Sequence, residues 1–364
     1  MNRLILYVGG FQLPESNAAA QRVVGIAKGL RDIGYNVIFL NSLKNTGNSG
    51  VVEKEYFGFK CYEYGRERNV DYLISAKTTL GFVEKLHPDA IIAYNYPAIA
   101  LNQIRKYCKA NRIKCYADVT EWYNAAGKNV IVRLIKGFDT TYRMKVVQNK
   151  LDGIIAISRY LYDYYKDYTN TVLIPPTVDI TDGKWHTGSK KHREYVSFAY
   201  AGVPYASKER LDLIVSAVGE VAKKVAVRLN IVGITKEQFE ALYAWKGPLP
   251  ESVVFWGRVE HQKALEIVEE SDWSIILRDN SRLVRAGFPT KLVESISCGT
   301  PVIANRFSNV FDYLTEKNSI CVEDMDDIAG YMIQASKKGY TVNQSVFDYH
   351  RYLREVNELL KNAD

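Results

Sequence analysis

Apolar positions along this chain alternate between short continuous runs and one-sided helical stripes. Residues 4–8 (LILYV) form a run of strand length, and Gly9-Gly10-Phe11 turns it. Over 17–33, Val23, Ile26, Ala27, Leu30 and Ile33 recur on one helical face, with Ser16 as the expected cap and Gly34 as the stop. Residues 37–40 give the next strand, and 90–94, 114–117, 153–157 and 172–174 repeat the pattern with helical stretches between. Pro175-Pro176 breaks it, and 181–194 is polar and rich in Gly, Lys and His. The alternation restarts at 195–200, 228–232, 253–255, 273–277 and 302–304. Alternating βα units with apolar strands predict α/β domains built on parallel, doubly wound sheets. The expected organisation is a first domain over 1–180, a linker over 181–194, and a second domain over 195–345. A C-terminal helix over 346–364 carries Tyr349, Leu353, Val356 and Leu360 on one stripe.

Length and composition fit this picture. The chain has 364 residues, enough for two domains, and is 47% hydrophobic and 24% charged, as soluble globular proteins are. Its apolar runs are strand-sized, which excludes a transmembrane helix, and the N-terminus reads as a first strand rather than a signal peptide. The five cysteines contain no C-x-x-C pair, which fits a reduced, cytoplasmic setting without structural zinc. The net charge of +7 and 26 tyrosines suit anionic partners, but no nucleic-acid motif accompanies them.

The most informative stretch is 285–305, RAGFPTKLVESISCGTPVIAN. Gly287-Phe288-Pro289 is a loop, Thr290 is a good N-cap, and a short helix follows from Lys291. Gly299 suits its left-handed stop and Pro301 prevents continuation. A glycine loop feeding a helix N-terminus presents unpaired N–H groups to anions, and Glu294 lies one turn in. Amides beside a carboxylate suit a sugar nucleotide.

This stretch, together with AYAGVPYASKERLDLIV over 199–215, resembles the retaining GT-B glycosyltransferases of family 4, which build bacterial surface polysaccharides. LPESNAAAQRVVGIAKGLRDIGYNV, DGIIAISRYLYDYY and VLIPPTVD extend the resemblance over nearly the whole chain, in the same order. It implies two Rossmann-like domains facing a central cleft, with the C-terminal helix crossing back to the first. In that family, Glu-x7-Glu closes the donor site. Glu294 matches the second Glu, which binds the ribose hydroxyls, and a carboxylate can accept from both hydroxyls of a diol. The plain alternative is a Glu favoured at a helix N-terminus. The first Glu falls on Ala286, a departure that leaves the transferred sugar to backbone groups of Gly287, Phe288 and Pro289's neighbours, or to Arg282 or Arg285.

The family also neutralises the donor diphosphate with a Gly-Arg…Lys pair. Lys208, expected at the entry of a helix, matches the Lys, but Val203 replaces the Arg, leaving Arg278 or Lys291 to contribute. Fixed cations there stabilise the negative charge of the leaving diphosphate; the bland readings are a solvated lysine and a surface ion pair. Arg258 and Val259, in the loop after Phe255-Trp256-Gly257, correspond to the frame of the nucleobase, with Trp256 read as a core residue or a stacking one. Gly10 corresponds to close backbone approach to the donor phosphate, although Gly-Gly after a strand is often only a turn. On the acceptor side many relatives carry a His where this chain has Asp118, followed by Glu121. Either carboxylate is placed to orient or deprotonate an acceptor hydroxyl, against the alternative of Asp118 capping a turn.

Other chemistry finds little support. The one Asp-x-Asp, Asp324-Met325-Asp326, precedes a helix start and reads as N-capping rather than a metal clamp. The five histidines (His87, His186, His192, His261, His350) lack metal-ligand spacing, and Ser158 has no G-x-S-x-G setting. Residues 128–150 carry Lys128, Arg133, Lys136, Arg143, Lys145 and Lys150 against Asp139, with Val130, Leu134, Phe138 and Tyr142 on one stripe. That pattern is either a helix resting on an anionic membrane surface or a core-packed helix with a solvated basic face.

The resemblance thus implies a metal-independent, retaining transfer without cofactor. A hexose moves from a nucleotide-diphosphate donor, a UDP-sugar first and a GDP-sugar second, to a lipid-linked surface glycan. The enzyme works in the cytoplasm or at the inner membrane face. Two alternatives stay open: a glycosyltransferase-like partner subunit without catalysis, suggested by Ala286 and Val203, and a sugar-nucleotide epimerase of the same fold.

Overall fold

The computed structural model describes residues 3–14, 17–43, 50–66, 69–123, 129–186 and 193–361. Ser16, Lys128, His192, Asn362 and most of the expected linker (187–192) lie outside the described residues. The chain divides into two units, Met1–Val178 with Ala286–Phe288 and Tyr349–Asp364, and Asp179–Arg285 with Pro289–Asp348.

The first unit is built on eight strands: β1 (Leu4–Gly9), β2 (Asn36–Leu43), β3 (Val51–Tyr56), β4 (Phe59–Gly65), β5 (Ala90–Tyr94), β6 (Lys114–Val119), β7 (Gly153–Ala156) and β8 (Thr171–Leu173). Their order is β3-β4-β2-β1-β5-β6-β7-β8, with every pairing parallel except β3 with β4. The second unit holds β9 (Val196–Ala201), β10 (Val227–Val232), β11 (Val253–Gly257), β12 (Trp273–Ile276), β13 (Val302–Asn305) and β14 (Ser319–Val322). These run all parallel in the order β11-β10-β9-β12-β13-β14. Both sheets are doubly wound. Strand order reverses between β1 and β5 in one and between β9 and β12 in the other, and such reversals open a crevice at the strand C-termini.

Burial on both sheet faces explains the apolar runs: Ile5, Leu6, Tyr7 and Val8 are all fully enclosed. Sequence patterning misses the β3–β4 hairpin. VVEKEY is charged and exposed along an antiparallel edge, and its turn places Phe57 at φ 55 beside Gly58 at φ 76. Two positive φ angles are what a tight hairpin needs, but Phe is an unusual residue to supply one. β14 is also missed.

The helix Ala18–Asp32 is capped by Asn17, whose side chain accepts from the Ala20 amide at 2.9 Å. Against it, within the first unit, packs the C-terminal helix Leu353–Lys361, preceded by 3-10 turns at Gln344–Phe347 and Tyr349–Tyr352. The approach is close: a Cβ on Gly29 would lie 3.4 Å from Leu353. Val356, Leu359 and Leu360 join the first unit's core, and the Tyr349 hydroxyl donates to Asp32 at 2.8 Å.

Asp118, near the end of β6, is fully buried. Its carboxylate faces the Arg22 guanidinium at 2.7 Å and accepts from the Tyr7 hydroxyl at 2.6 Å, while Arg22 donates onward to the Ile174 carbonyl at 2.8 Å. One ion pair thus ties β1, β6, the first helix and the segment after β8. This corrects both readings of Asp118, since a sealed, paired carboxylate neither meets an acceptor hydroxyl nor caps a turn. Burial, then Asp118, pushes the Tyr7 hydroxyl well above its ordinary range.

The helix Val130–Tyr142 does not pack into the core on its apolar stripe. Only Thr140 is buried, whereas Ile131, Leu134 and Phe138 are 66%, 68% and 60% exposed. Arg143, expected on the basic face, is instead buried in the π-helical turn Arg143–Val147. Among the described residues no helix is long and apolar enough to cross a membrane.

Removing one partner of the Arg22–Asp118 pair leaves the other charge buried. Arg22→Ala should therefore lower the unfolding free energy by about 3–5 kcal/mol, read from urea curves. A loss below about 1 kcal/mol would show that the pair does not hold the strands together.

Candidate functional site

In the second unit the order reversal sets the end of β9 beside the end of β12. Gly202 follows β9 at φ 122, and a Cβ there would come 2.6 Å from the Lys291 side chain. The missing side chain is what admits the lysine. Lys291 lies in the first turn of the helix Thr290–Ser297. Arg278 follows β12 and is fixed by Asn305, whose side chain accepts from the Arg278 amide at 3.0 Å and donates to its carbonyl at 2.8 Å.

Glu209 joins these parts, and sequence reasoning passed over it. Its buried carboxylate accepts from Arg278 Nη2 at 2.8 Å, from Lys291 Nζ at 2.7 Å and from the Tyr200 hydroxyl. Burial alone would raise the Glu209 pKa, but Lys291 and Arg278 outweigh it and hold the carboxyl below its ordinary value. Burial dominates at Lys291 and pulls its ammonium down to about 8, although Glu209 opposes this. Burial and then Glu209 push Tyr200 well up. Two cations therefore share one carboxylate, and Arg278 Nε is buried with no hydrogen-bond partner. The excess positive charge suits an anion.

Glu294 is on the same helix, one turn beyond Lys291, and its Oε1 lies 3.1 Å from Nε2 of His261, at the start of the helix His261–Glu270. No sequence signal joins residues so far apart. Lys208 does not enter a helix: it closes the turn after Tyr205, half-buried, with Nζ 5.8 Å from the Tyr205 ring, and the next helix begins at Leu211. Thr290 is not the cap but the first helical residue. Pro289 holds the cap position in extended conformation and offers no side-chain hydrogen bond. Ala286, Phe288 and Pro289 are buried and Gly287 is half-buried, and the Ala286 carbonyl accepts from the Ser158 hydroxyl at 2.8 Å. Arg282 and Arg285 are exposed on the short helix Arg282–Ala286. Arg258 is exposed and Val259 half-buried in the loop after β11. Trp256 is exposed on that strand, with Nε1 donating to Asn230 at 3.1 Å, so it is no core residue.

In the first unit, Glu121 remains partly exposed. At Gly10, a Cβ would come 2.5 Å from the Arg66 guanidinium, so the bare backbone admits that side chain. Asp327 caps the helix Ile328–Ala335 by accepting from the Gly330 amide at 3.1 Å. Among the described residues no group of three or more His, Cys, Asp or Glu could hold a metal ion.

Residues 196–338, which span all six strands of the second sheet, match the family described as Glycosyl transferases group 1. Sucrose-phosphate synthase from Thermosynechococcus elongatus superposes with a TM-score of 0.72 at 13% identity, covering 99% of this chain and 98% of that one. The fold is GT-B. Anabaena HepE in complex with UDP and glucose shares it with a TM-score of 0.63 at 14% identity, covering 99% of both chains. So does the lipopolysaccharide outer core galactosyltransferase WaaB, at 0.65 and 13%, covering 98% of this chain and 99% of that one. No curated protein matches by sequence. At these identities the GT-B likeness establishes architecture, and the chemistry rests on the residues.

The Lys291 ammonium should titrate near pH 8, read by NMR of labelled lysine. Its folded pKa lies below the unfolded one, so the folded state binds fewer protons across the interval from about 8 to the ordinary 10.5. The burial penalty is thus fully present below pH 8 and relieved as pH rises. The stability of wild type relative to Lys291→Met should increase across that window. Titration of Lys291 near 10.5 would refute the depressed value.

Proposed function

We propose that the chain is a retaining hexosyltransferase taking its sugar from a nucleoside diphosphate donor, a UDP-sugar first. The observation that carries this is the Glu209–Arg278–Lys291 cluster at the strand-order reversal of the second unit, with Glu294 one turn beyond Lys291. Diphosphate meets Arg278 and Lys291, which the shared carboxylate leaves with net positive charge, and Lys208 adds a third cation in the loop after β9. Glu294 accepts from the ribose diol, and His261 orients it. In support, solved GT-B structures of HepE hold UDP or UDP-glucose.

In the proposed step the bond from the anomeric carbon to the diphosphate oxygen breaks and a glycosidic bond to the acceptor oxygen forms on the same face. The acceptor's proton passes to the departing diphosphate. Charge on that leaving group is stabilised by the fixed cations, and no metal enters the step. The acceptor is a lipid-linked surface glycan, reached through the helix Val130–Tyr142. Its exposed Ile131, Leu134, Ile135 and Phe138 enter the lipid boundary, while Arg133, Lys136 and Lys145 meet anionic headgroups from the cytoplasmic side.

A non-catalytic subunit is the second reading, favoured by buried Ala286 where the family's carboxylate stands.

Transfer or hydrolysis measured with UDP-sugars tests the first reading. Lys291→Ala should lower kcat by about 10²–10³, the usual cost of removing one fixed donor to developing charge. Glu294→Ala should raise the donor KM more than it lowers kcat. Binding of UDP-sugars without turnover would favour the second reading, and no response to any nucleotide sugar would end both. Liposome flotation should show binding to anionic but not neutral vesicles, lost in Leu134→Glu/Phe138→Glu; indifference to that double change would remove the membrane contact.

A further inference from the structure

The first unit contains a cavity of about 700 Å³ that none of the residues singled out above lines, apart from Arg66 at its edge. Its walls come from the end of β4, the helix Asn69–Ile74 and the helix Lys77–Leu86. Two aromatic pairs face it: Tyr62 with Phe82, ring centroids 4.9 Å apart, and Tyr72 with Tyr96 at 5.2 Å. Arg66 stacks on Tyr72 with its guanidinium carbon 3.4 Å from the ring centroid. Ser42 holds Arg66 in place, accepting from Nε at 2.6 Å and from Nη2 at 3.4 Å, so most of its five N–H donors stay uncommitted. Thr79 and Tyr96, both in the wall, bond to each other at 2.8 Å.

Charge and polarity select the occupant. Among the described residues, Arg66, Lys77 and Lys85 line the cavity with Asp71 as the one carboxylate. Ser75, Thr78 and Tyr64 add hydroxyls to the rim. Aromatic faces take the C–H side of a pyranose ring, hydroxyls accept from and donate to its ring substituents, the guanidinium donates to them, and three cations call for an anion beside it. Flat apolar ligands would leave the rim unmatched, and a bare anion would leave the rings unused. Position adds a further constraint. Arg66 passes over Gly10 at the C-terminal end of β1, where strand order reverses and ligands of such sheets sit.

We infer that this cavity binds an anionic glycan, one or two pyranose rings carrying a carboxylate or a phosphate, as the acceptor end of the reaction. The inference rests on the transferase reading for the word acceptor, but the binding itself does not. Phe82 holds the ring face, and Arg66, held by its stack on Tyr72, and Lys85 hold the anion.

Calorimetric titration of the full chain separates the possibilities, with digalacturonate, galactose 1-phosphate, lactose and inorganic phosphate as probes and UDP as the control ligand. At least one of the two anionic sugars should bind tenfold or more tighter than both lactose and phosphate. The one that does identifies the anion as carboxylate or phosphate. Lys85→Ala and Tyr72→Ala should each weaken that binding at least fivefold and leave UDP affinity unchanged. Should Tyr72→Ala fail to fold, Lys77→Ala with Lys85→Ala carries the same test from exposed positions. Equal binding of lactose or of phosphate, displacement by UDP, or indifference to Lys85→Ala would overturn the assignment. Loss of UDP binding in wild type with anionic-sugar binding intact would instead remove the transferase reading and leave the cavity's ligand standing.

Discussion

One carboxylate, Glu209, sets the charge of the candidate donor site. Buried alone, a carboxyl in this position would be driven toward its neutral form. Lys291 and Arg278 keep it ionised, and it in turn lets two cations remain close together at the ends of β9 and β12. The positions of these groups follow from the parallel sheet. Strand-order reversal separates the connections after β9 and β12, so side chains from both, and from the helix after β12, converge without obstruction. Gly202 completes the arrangement by having no Cβ to collide with Lys291. Sheet topology, glycine and ion cluster form one device.

Most of the architecture was legible because both sheets are parallel and covered on both faces. Such strands read as apolar runs wherever they occur, and eleven of the fourteen were readable this way. Two exceptions have physical causes: β3 is an antiparallel edge strand with charged exposed residues, and β4 depends on it through an unusual Phe57-Gly58 turn. At the site, Lys291 and Arg278 could be named as cations from sequence, since the resemblance leaves an arginine missing at Val203. Their common partner could not be named. Glu209 sits in a Lys-Glu-Arg run that reads as a solvated face, and its partners lie 69 and 82 residues away. His261 beside Glu294 is equally invisible, because nothing in a local pattern predicts a contact between two helices. Asp118 misled for the opposite reason. Its neighbourhood resembles an active-site strand end, but Arg22, 96 residues earlier, has already claimed its charge.

Gly10 and Arg66 show how a glycine can serve close approach within the protein itself. Space at the end of β1 admits a guanidinium of the protein itself, stacked on Tyr72 and tied to Ser42. The same arginine walls the aromatic cavity, so the bare Gly10 backbone also shapes a neighbouring pocket.

On the transferase reading, the shared carboxylate also bears on catalysis. Only interactions stronger in the transition state than in the bound substrate accelerate the chemical step. Two unopposed cations would grip the intact donor's diphosphate tightly and spend their stabilisation in the ground state. With Glu209 between them, part of that charge is already balanced when the donor arrives. As the sugar departs, negative charge grows on the diphosphate while Glu209 stays fixed, and the cations, held in place by a buried network, respond without reorganising. The cluster is therefore better suited to a leaving group than to a resident anion, which favours transfer over simple binding despite the missing carboxylate at Ala286.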